Sequence, residues 1–95
     1  ETYAVRVQGN SMIDALIADG DIVVLHHQET ANSGDFVAAW LRKQEVMTLK
    51  EFHREPDKRR IRLQPYNRSV KPIYVDSEED IEIQGKVIVV IRQIA

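Results

Sequence analysis

Short apolar runs, each closed by residues that favour turns, recur along almost the whole chain. Residues 3–8 alternate apolar and polar side chains up to Gly9, and residues 22–25 are a β-branched run that follows the turn Asp19-Gly20-Asp21. Alternation with period two indicates a strand with one buried face, and a β-branched run bounded by turn residues is typical of a buried strand. These runs predict a mostly β fold.

The later part of the chain continues this pattern of strands and turns. Residues 36–41 and 46–52 are separated by four polar residues, which predicts a hairpin. The further predicted elements are a hairpin tip at 55–58, strands at 60–63 and 72–75, a turn at 64–67, and a last strand over 80–94 interrupted by a bulge at Gly85. One short helix or helical turn is expected, covering residues 11–18 in about two turns, with Asn10 or Ser11 at its start.

Length and composition limit the classes of protein to which the chain can belong. Ninety-five residues suit one domain, so we expect residues 1–95 to form a single core. Lys and Arg number 13 and Asp and Glu 15, which gives a formal net charge of −2 and no basic excess for direct binding of nucleic acid. A core this small leaves modest stability, and we therefore expect a homodimer.

The sequence also indicates the cellular compartment of the protein and whether the chain crosses a membrane. Cysteine is absent, which excludes disulfides and thiolate metal sites and fits a cytoplasmic protein. The longest apolar stretch, residues 87–91, is far shorter than the roughly 20 residues of a membrane helix, so no membrane span is predicted. The first residue is not Met, from which we expect a fragment of a longer chain.

Ser11 is the first candidate for chemistry. A serine at the start of a helix, with Asp14 three residues later, is ordinarily a cap. The alternative is a nucleophile: Gly9 allows a sharp turn after the strand, which exposes Ser11 Oγ and leaves the backbone N–H groups of Asn10 and Ser11 free to hold an oxyanion.

Lys50 is the second candidate. A lysine on a strand commonly protects a sheet edge, yet Lys50 shares a strand face with Val46, Thr48 and Phe52, and this allows partial burial. A lysine with the ordinary pKa of about 10.4 is neutral in roughly one molecule in 2,500 at pH 7. Burial lowers that pKa and makes the amine a usable general base for a serine.

Gly9-Asn10-Ser11-Met12 resembles the Gly-x-Ser-Met signature of the LexA family, whose relatives include the UmuD polymerase subunits and phage repressors. The resemblance extends in order along nearly all 95 residues. The further matching segments are residues 19–24, 34–37, 46–50, 63–67, 71–75 and 83–87. Residues 46–50 are similar to the strand that carries the family's general-base lysine, which implies that Ser11 and Lys50 form a catalytic dyad.

The resemblance implies a strongly curved β peptidase fold that cleaves its own chain upstream of the nucleophile and dimerises through this domain. It further implies a repressor of the SOS response to DNA damage, with the RecA–single-stranded DNA filament as co-protease. In such repressors an amino-terminal domain binds operator DNA. Residues 1–95 are then the carboxy-terminal peptidase and dimerisation domain alone, and no cofactor is implied.

Two features depart from the family pattern. Family members usually cut between a small residue and glycine, yet Ala-Gly and Cys-Gly are both absent here, so we expect this chain not to cleave itself. Glu51 follows Lys50 where a basic residue is expected; because period two places Glu51 on the opposite strand face, we expect little effect on the lysine.

Other interpretations stay open from the sequence. The same dyad would serve a UmuD-like polymerase subunit, and a non-cleaving dimerisation module would use the apolar residues 87–91. A signal peptidase shares the chemistry, but no membrane anchor occurs here. His26, His27 and His53 are too scattered to predict a metal site. Five basic residues around the hairpin tip, Arg54, Lys58, Arg59, Arg60 and Arg62, predict a solvated face.

Overall fold

A computed structural model of the chain describes residues 1–94. Within this range the strands are β1 Thr2–Arg6, β2 Ile22–His27, β3 Phe36–Leu41, β4 Val46–Glu55, β5 Arg60–Gln64, β6 Ile73–Val75 and β7 Ile81–Ile91. They form one antiparallel sheet, joined in part by short 3-10 helices at Ile13–Ala15, Pro56–Lys58 and Glu78–Asp80. The mostly β fold predicted from the sequence is confirmed, as is the hairpin formed by β3 and β4.

The last strand lies in the middle of the sheet. The spatial order is β1-β2-β7-β3-β4-β5-β6, so β7 separates β2 from β3. Its first half, residues 81–86, pairs with β3, and its second half, residues 85–91, pairs with β2. Since the pairing with β3 stops at Lys86, residues 87–91 keep one strand edge without a partner from residues 1–94.

β7 is continuous but bulged. Ala38 pairs with Gly85 and Ala39 with Ile83, which leaves Gln84 as an extra residue beside the predicted position of the bulge. The sequence suggested an interruption of the strand at Gly85. The structure instead has a bulge at the neighbouring residue, and the strand continues through it. A Cβ at Gly85 would lie 2.9 Å from the His26 carbonyl oxygen, so glycine is needed there for the close approach of two backbones.

Two apolar clusters form the core. One surrounds Val37, Phe52 and Leu63, and the other contains Met12 and Leu25. Met12 is 1% exposed and directly follows Ser11. Burial of the Met12 side chain therefore fixes the chain at the candidate nucleophile.

The prediction of a two-turn helix over residues 11–18 is wrong. The structure has one 3-10 turn at Ile13–Ala15, whose N-cap is Met12 without a side-chain cap. The Ser11 carbonyl accepts from Tyr66 N–H at 2.8 Å, and Asp14 N–H donates to the Tyr66 carbonyl at 2.7 Å. An α-helix would need these backbone groups for its own bonds, so the contact with residue 66 overrides the local preference for a helix.

The basic residues near the hairpin tip are more strongly paired than the predicted solvated face. Arg60 and Arg62 both bond to the Glu55 carboxylate, and Arg54 pairs with Glu78 at 3.2 Å. No helix within residues 1–94 has the length and apolar character needed to cross a membrane.

Candidate active site

Ser11 lies in a turn that two neighbouring loops hold in place. Gly9 has a φ of +84°, a conformation that favours glycine, and it turns the chain sharply after β1. The Gly9 N–H donates to Asp19 Oδ1 at 2.7 Å. The Asp19 N–H in turn donates to the Asn10 side-chain oxygen at 3.3 Å, so the turn is fixed from both ends.

Lys50 reaches this turn from β4. Its Nζ lies 3.0 Å from Ser11 Oγ, 2.6 Å from Thr48 Oγ1 and 3.1 Å from the Leu49 carbonyl oxygen. Lys50 is 5% exposed, so the amine is shielded from water. The structure brings together the two side chains that the sequence proposed as a pair, and it gives Ser11 Oγ a contact to an amine rather than a capping bond.

Burial changes the acid–base behaviour of this amine. Desolvation lowers the pKa of Lys50 below its ordinary value, because removal from water disfavours the charged ammonium. Glu51 does not offset this effect by contact, since its carboxylate bonds instead to Tyr66 and His53. The amine is therefore more readily neutral than an exposed lysine.

A cleft of about 320 Å³ opens beside the pair. Ser11, Thr48 and Lys50 supply its polar lining together with Arg6 and Gln8. Its apolar lining consists of Val5, Val7, Met12, Val23, Leu25, Ala38, Met47 and Leu49. A cleft with a few polar groups at one place in an apolar wall is typical of a site that binds an extended or small apolar ligand.

The backbone around Ser11 offers unused donors. Within residues 1–94 the N–H groups of Asn10 and Ser11 donate no hydrogen bond, whereas their carbonyl groups are both engaged. Ser11 lines the cleft, and Asn10 lies just outside its lining. Free N–H groups beside a hydroxyl are suited to stabilising negative charge on an oxygen.

Residues 66 and 67 were not found by the sequence analysis. The Tyr66 N–H bonds to the Ser11 carbonyl, and the Asn67 side-chain amide donates to the Asn10 carbonyl at 2.8 Å. The sequence marks this stretch only as a turn, because polar residues near Pro65 are common in turns. Only the resemblance of residues 63–67 to a turn of the LexA family gave a signal there.

The three histidines form their hydrogen bonds with different partners, and none of these partners is Ser11 or Lys50. His26 contacts Gln28, His27 contacts the Gln84 carbonyl, and His53 contacts Glu51. Across residues 1–94 no group of three His, Cys, Asp or Glu side chains is arranged to hold a metal ion.

Comparison with known proteins finds relatives whose sequences are similar to that of this chain. LexA repressors are similar over nearly the whole chain. The one from Roseiflexus sp. (strain RS-1) is 52% identical over 90 residues, which are 95% of this chain and 40% of that repressor. The one from Herpetosiphon aurantiacus is 49% identical over 94 residues, or 99% of this chain and 42% of that repressor.

The chain thus spans about two fifths of the length of these relatives. The resemblance to the LexA family that the sequence motifs suggested is confirmed by these identities. The sequence model of the family described as Peptidase S24-like matches residues 1–88, and the chain therefore belongs to the Peptidase S24-like family.

Proposed function

We propose that this chain is the carboxy-terminal peptidase and dimerisation domain of a LexA-type, self-cleaving repressor of the SOS response, with Ser11 as nucleophile and Lys50 as general base. The observation that carries the proposal is the 3.0 Å contact between Lys50 Nζ and Ser11 Oγ, made by a lysine that is 5% exposed. Membership of a peptidase family supports the same activity.

The chemistry follows the usual route of a serine acyl transfer. Neutral Lys50 takes the proton from Ser11 Oγ as the oxygen attacks the carbonyl carbon of the scissile peptide. The tetrahedral intermediate collapses, the C–N bond breaks, and Lys50 gives its proton to the leaving amine. Lys50 then takes a proton from water as the water oxygen attacks the acyl carbon, the bond between that carbon and Ser11 Oγ breaks, and Lys50 returns the proton to Oγ.

Negative charge develops on the carbonyl oxygen of the scissile peptide when Ser11 Oγ attacks the carbonyl carbon. The N–H groups of Asn10 and Ser11 are proposed to hold that oxygen, because neither is used elsewhere within residues 1–94. Removal of one such donor in a serine peptidase commonly lowers kcat by about 10²- to 10³-fold. No cofactor or metal takes part in the proposed reaction.

The substrate is proposed to be a segment upstream of the nucleophile in the whole protein. In that protein, an amino-terminal domain would bind operator DNA, and a RecA–single-stranded DNA filament in the cytoplasm would stimulate cleavage. These proposals rest on the likeness to LexA repressors. The absence of Ala-Gly and Cys-Gly from residues 1–95 supports a scissile bond outside this chain.

Cleavage in trans tests the dyad. The domain is incubated with a protein that carries the upstream cleavage segment, and product is followed by mass spectrometry. Ser11→Ala and Lys50→Ala are each expected to lower kcat at least about a thousandfold. Ser77→Ala and Lys58→Ala, which change the same residue types outside the cleft, are the matched controls and should cleave as the wild type does.

Either dyad variant with wild-type cleavage would overturn the assignment. If the wild-type domain also fails to cleave, this result favours the alternative function, a non-cleaving dimerisation module in which Ser11 and Lys50 have no catalytic role. A UmuD-like polymerase subunit would cleave with the same dyad, and an upstream arm without a DNA-binding domain would identify it.

Dimerisation is proposed to use the second half of β7. Residues 87–91 keep an open strand edge, and Ile88, Val89, Val90 and Ile91 are each between 41% and 50% exposed. Two such edges can pair antiparallel across a two-fold axis and bury these side chains.

The oligomeric state tests this interface. Sedimentation should show a mass that rises with concentration to that of a dimer, and Val90→Lys should remain monomeric. Val46→Lys changes a valine of similar exposure on β4 and is the matched control. A strictly monomeric wild type at high concentration would overturn the proposed dimer.

A further inference from the structure

A two-residue segment between β5 and β6, Tyr66–Asn67, which we name the strap, lies across the turn that carries Ser11. Tyr66 N–H donates to the Ser11 carbonyl at 2.8 Å, and the Tyr66 carbonyl accepts from Asp14 N–H at 2.7 Å. Asn67 Nδ2 donates to the Asn10 carbonyl at 2.8 Å. The strap therefore engages both carbonyl groups that flank the nucleophile.

The bonds to the Asn10 and Ser11 carbonyl groups fix the direction of the N–H groups in the same two peptides. Residues 1–94 contain no cis peptide, and in a trans peptide the C=O and the N–H point in opposite directions. The bond from Asn67 to the Asn10 carbonyl therefore directs the Ser11 N–H away from the strap. The bond from Tyr66 to the Ser11 carbonyl directs the Met12 N–H in the same manner.

The orientation of the Asn67 amide is determined by a separate contact. Ser69 N–H donates to Asn67 Oδ1 at 2.8 Å, which identifies Oδ1 as the acceptor. The other end of the amide, Nδ2, must then face the Asn10 carbonyl as a donor. The side chain is thus held at both ends, and it can orient the peptide that it contacts.

The strap is anchored to the strand that carries Lys50. Tyr66 OH donates to Glu51 Oε2 at 2.8 Å, and the Tyr66 ring lies 5.5 Å from that of Phe36. The bond to the Glu51 carboxylate raises the pKa of Tyr66, so the phenol stays protonated and keeps donating near neutral pH. Glu51 follows Lys50 directly, so one bond connects the nucleophile turn to the strand of the base.

We propose that the strap is a positioning element: Asn67 orients the Ser11 N–H so that it can receive the oxyanion, and Tyr66, anchored by Glu51, holds the Ser11 carbonyl and keeps the strap against the turn. This inference rests on the proposed function, since an oxyanion forms only if Ser11 is acylated. The strap residues touch neither substrate nor the Lys50 amine in this scheme. Their effect should therefore fall on kcat, with little change in KM or in the pH dependence set by Lys50.

Asn67 variants test the strap in the trans-cleavage assay. Asn67→Ala removes the donor, and we expect kcat to fall about 10- to 100-fold, less than the full loss of an oxyanion donor. Asn67→Asp keeps the shape and the Ser69 contact but turns a carboxylate oxygen toward the Asn10 carbonyl, so we expect a larger fall. Asn32→Ala, at a remote turn, is the matched control.

Tyr66→Phe provides a second variant whose fold is easier to keep. It removes the bond to Glu51 but retains the ring and the backbone bonds, so we expect a smaller fall in kcat. Tyr74→Phe, in which the ring rests against Arg60 on β6, is its control. Thermal unfolding of each variant establishes that the protein assayed is folded.

A transition-state analogue separates positioning from general loss of structure. A peptide boronic acid forms a tetrahedral adduct on Ser11, and its affinity should fall in the Asn67 variants by the same factor as kcat. Wild-type kcat in folded Asn67→Asp, or a rise in KM with kcat unchanged, would overturn the strap proposal alone. Wild-type cleavage that does not depend on Ser11 would overturn the proposed function and the strap with it.

Discussion

Lys50 Nζ lies 3.0 Å from Ser11 Oγ although the two residues are 39 positions apart in the sequence. The amine also contacts Thr48 and Leu49, so its position is fixed from its own strand. Burial removes the water that would otherwise stabilise the ammonium, and the contacts with Thr48 and Leu49 hold the amine beside the Ser11 hydroxyl. The position of the amine thus depends on contacts within β4, and its basicity depends on burial.

The rate of cleavage should rise with pH through the lowered pKa of Lys50. The neutral amine is the active form, so the rate increases as the amine loses its proton and then reaches a plateau. Because desolvation lowers this pKa, the midpoint should lie below about 10.4, the ordinary value for lysine. Single-turnover rates in trans between about pH 6 and about pH 10 measure it.

A midpoint at or above the ordinary lysine value would contradict this assignment of the base. The control is Lys58→Met, which removes an exposed lysine and should leave the profile unchanged.

Thr48→Val should reduce cleavage and shift its pH profile. The Thr48 hydroxyl accepts from Lys50 Nζ at 2.6 Å, and valine keeps the shape without the acceptor. Loss of one such bond is worth about 1 kcal/mol, so the plateau rate should fall about five- to tenfold. The ammonium also loses an acceptor, which moves the midpoint to lower pH.

Thr30→Val, at an exposed threonine away from the cleft, is the matched control for this prediction. An unchanged plateau together with a midpoint at higher pH would show that Thr48 does not hold the amine.

The strands were predictable because their signal is local. The apolar, mostly β-branched residues 22–25 lie in β2, and the four polar residues 42–45 form the turn between β3 and β4. An alternation of apolar and polar residues predicts a strand, but it does not predict which strands are neighbours in the sheet. The last strand was expected, but its placement between β2 and β3 depends on long-range pairing that residues 80–94 do not reveal.

The candidate site was predictable only in part, for the same reason. A resemblance of motifs paired Ser11 with Lys50, and the structure brings them into contact. The helix predicted after Ser11 failed because Tyr66, far along the chain, takes the backbone groups that a helix would use. The contact of Asn67 with Asn10 spans 57 residues, and no local pattern encodes it.

Lys50→Met should change how stability depends on pH. The pKa of Lys50 is lower in the folded chain than in the unfolded chain, so between these values the unfolded chain binds more protons. The free energy of unfolding of the wild type therefore rises with pH in this window, by up to about 1.4 kcal/mol per pH unit. Methionine does not titrate, so the free energy of unfolding of the wild type should increase relative to that of Lys50→Met as the pH rises toward about 10.4.

Urea unfolding at several pH values measures this difference. The matched variant Lys58→Met removes an exposed lysine and should show no such slope relative to the wild type. A constant difference between wild type and Lys50→Met would indicate that the pKa of Lys50 is the same in both states.

The ion pair between Asp21 and Arg92 should govern stability in acid. Asp21 is 3% exposed, and Arg92 Nε and Nη2 donate to its two oxygens, each at 2.8 Å. The hydrogen bonds from Arg92, then the bond from Ala18 N–H, lower the pKa of Asp21 below its ordinary value. The stabilisation is therefore complete above about pH 3.9 and is lost as the pH falls through the folded pKa.

Arg92→Gln tests this pair, because it leaves the buried carboxylate without its cation. The variant should unfold at lower urea than the wild type at pH 7, and the difference should shrink as the pH falls below about 3.9. Arg42→Gln breaks the Arg42–Glu82 pair, in which both side chains are about half exposed, and should change little at either pH. All samples need one protein concentration, because dimerisation would shift the midpoint. An equal difference at both pH values would mean that Asp21 is not the titrating group.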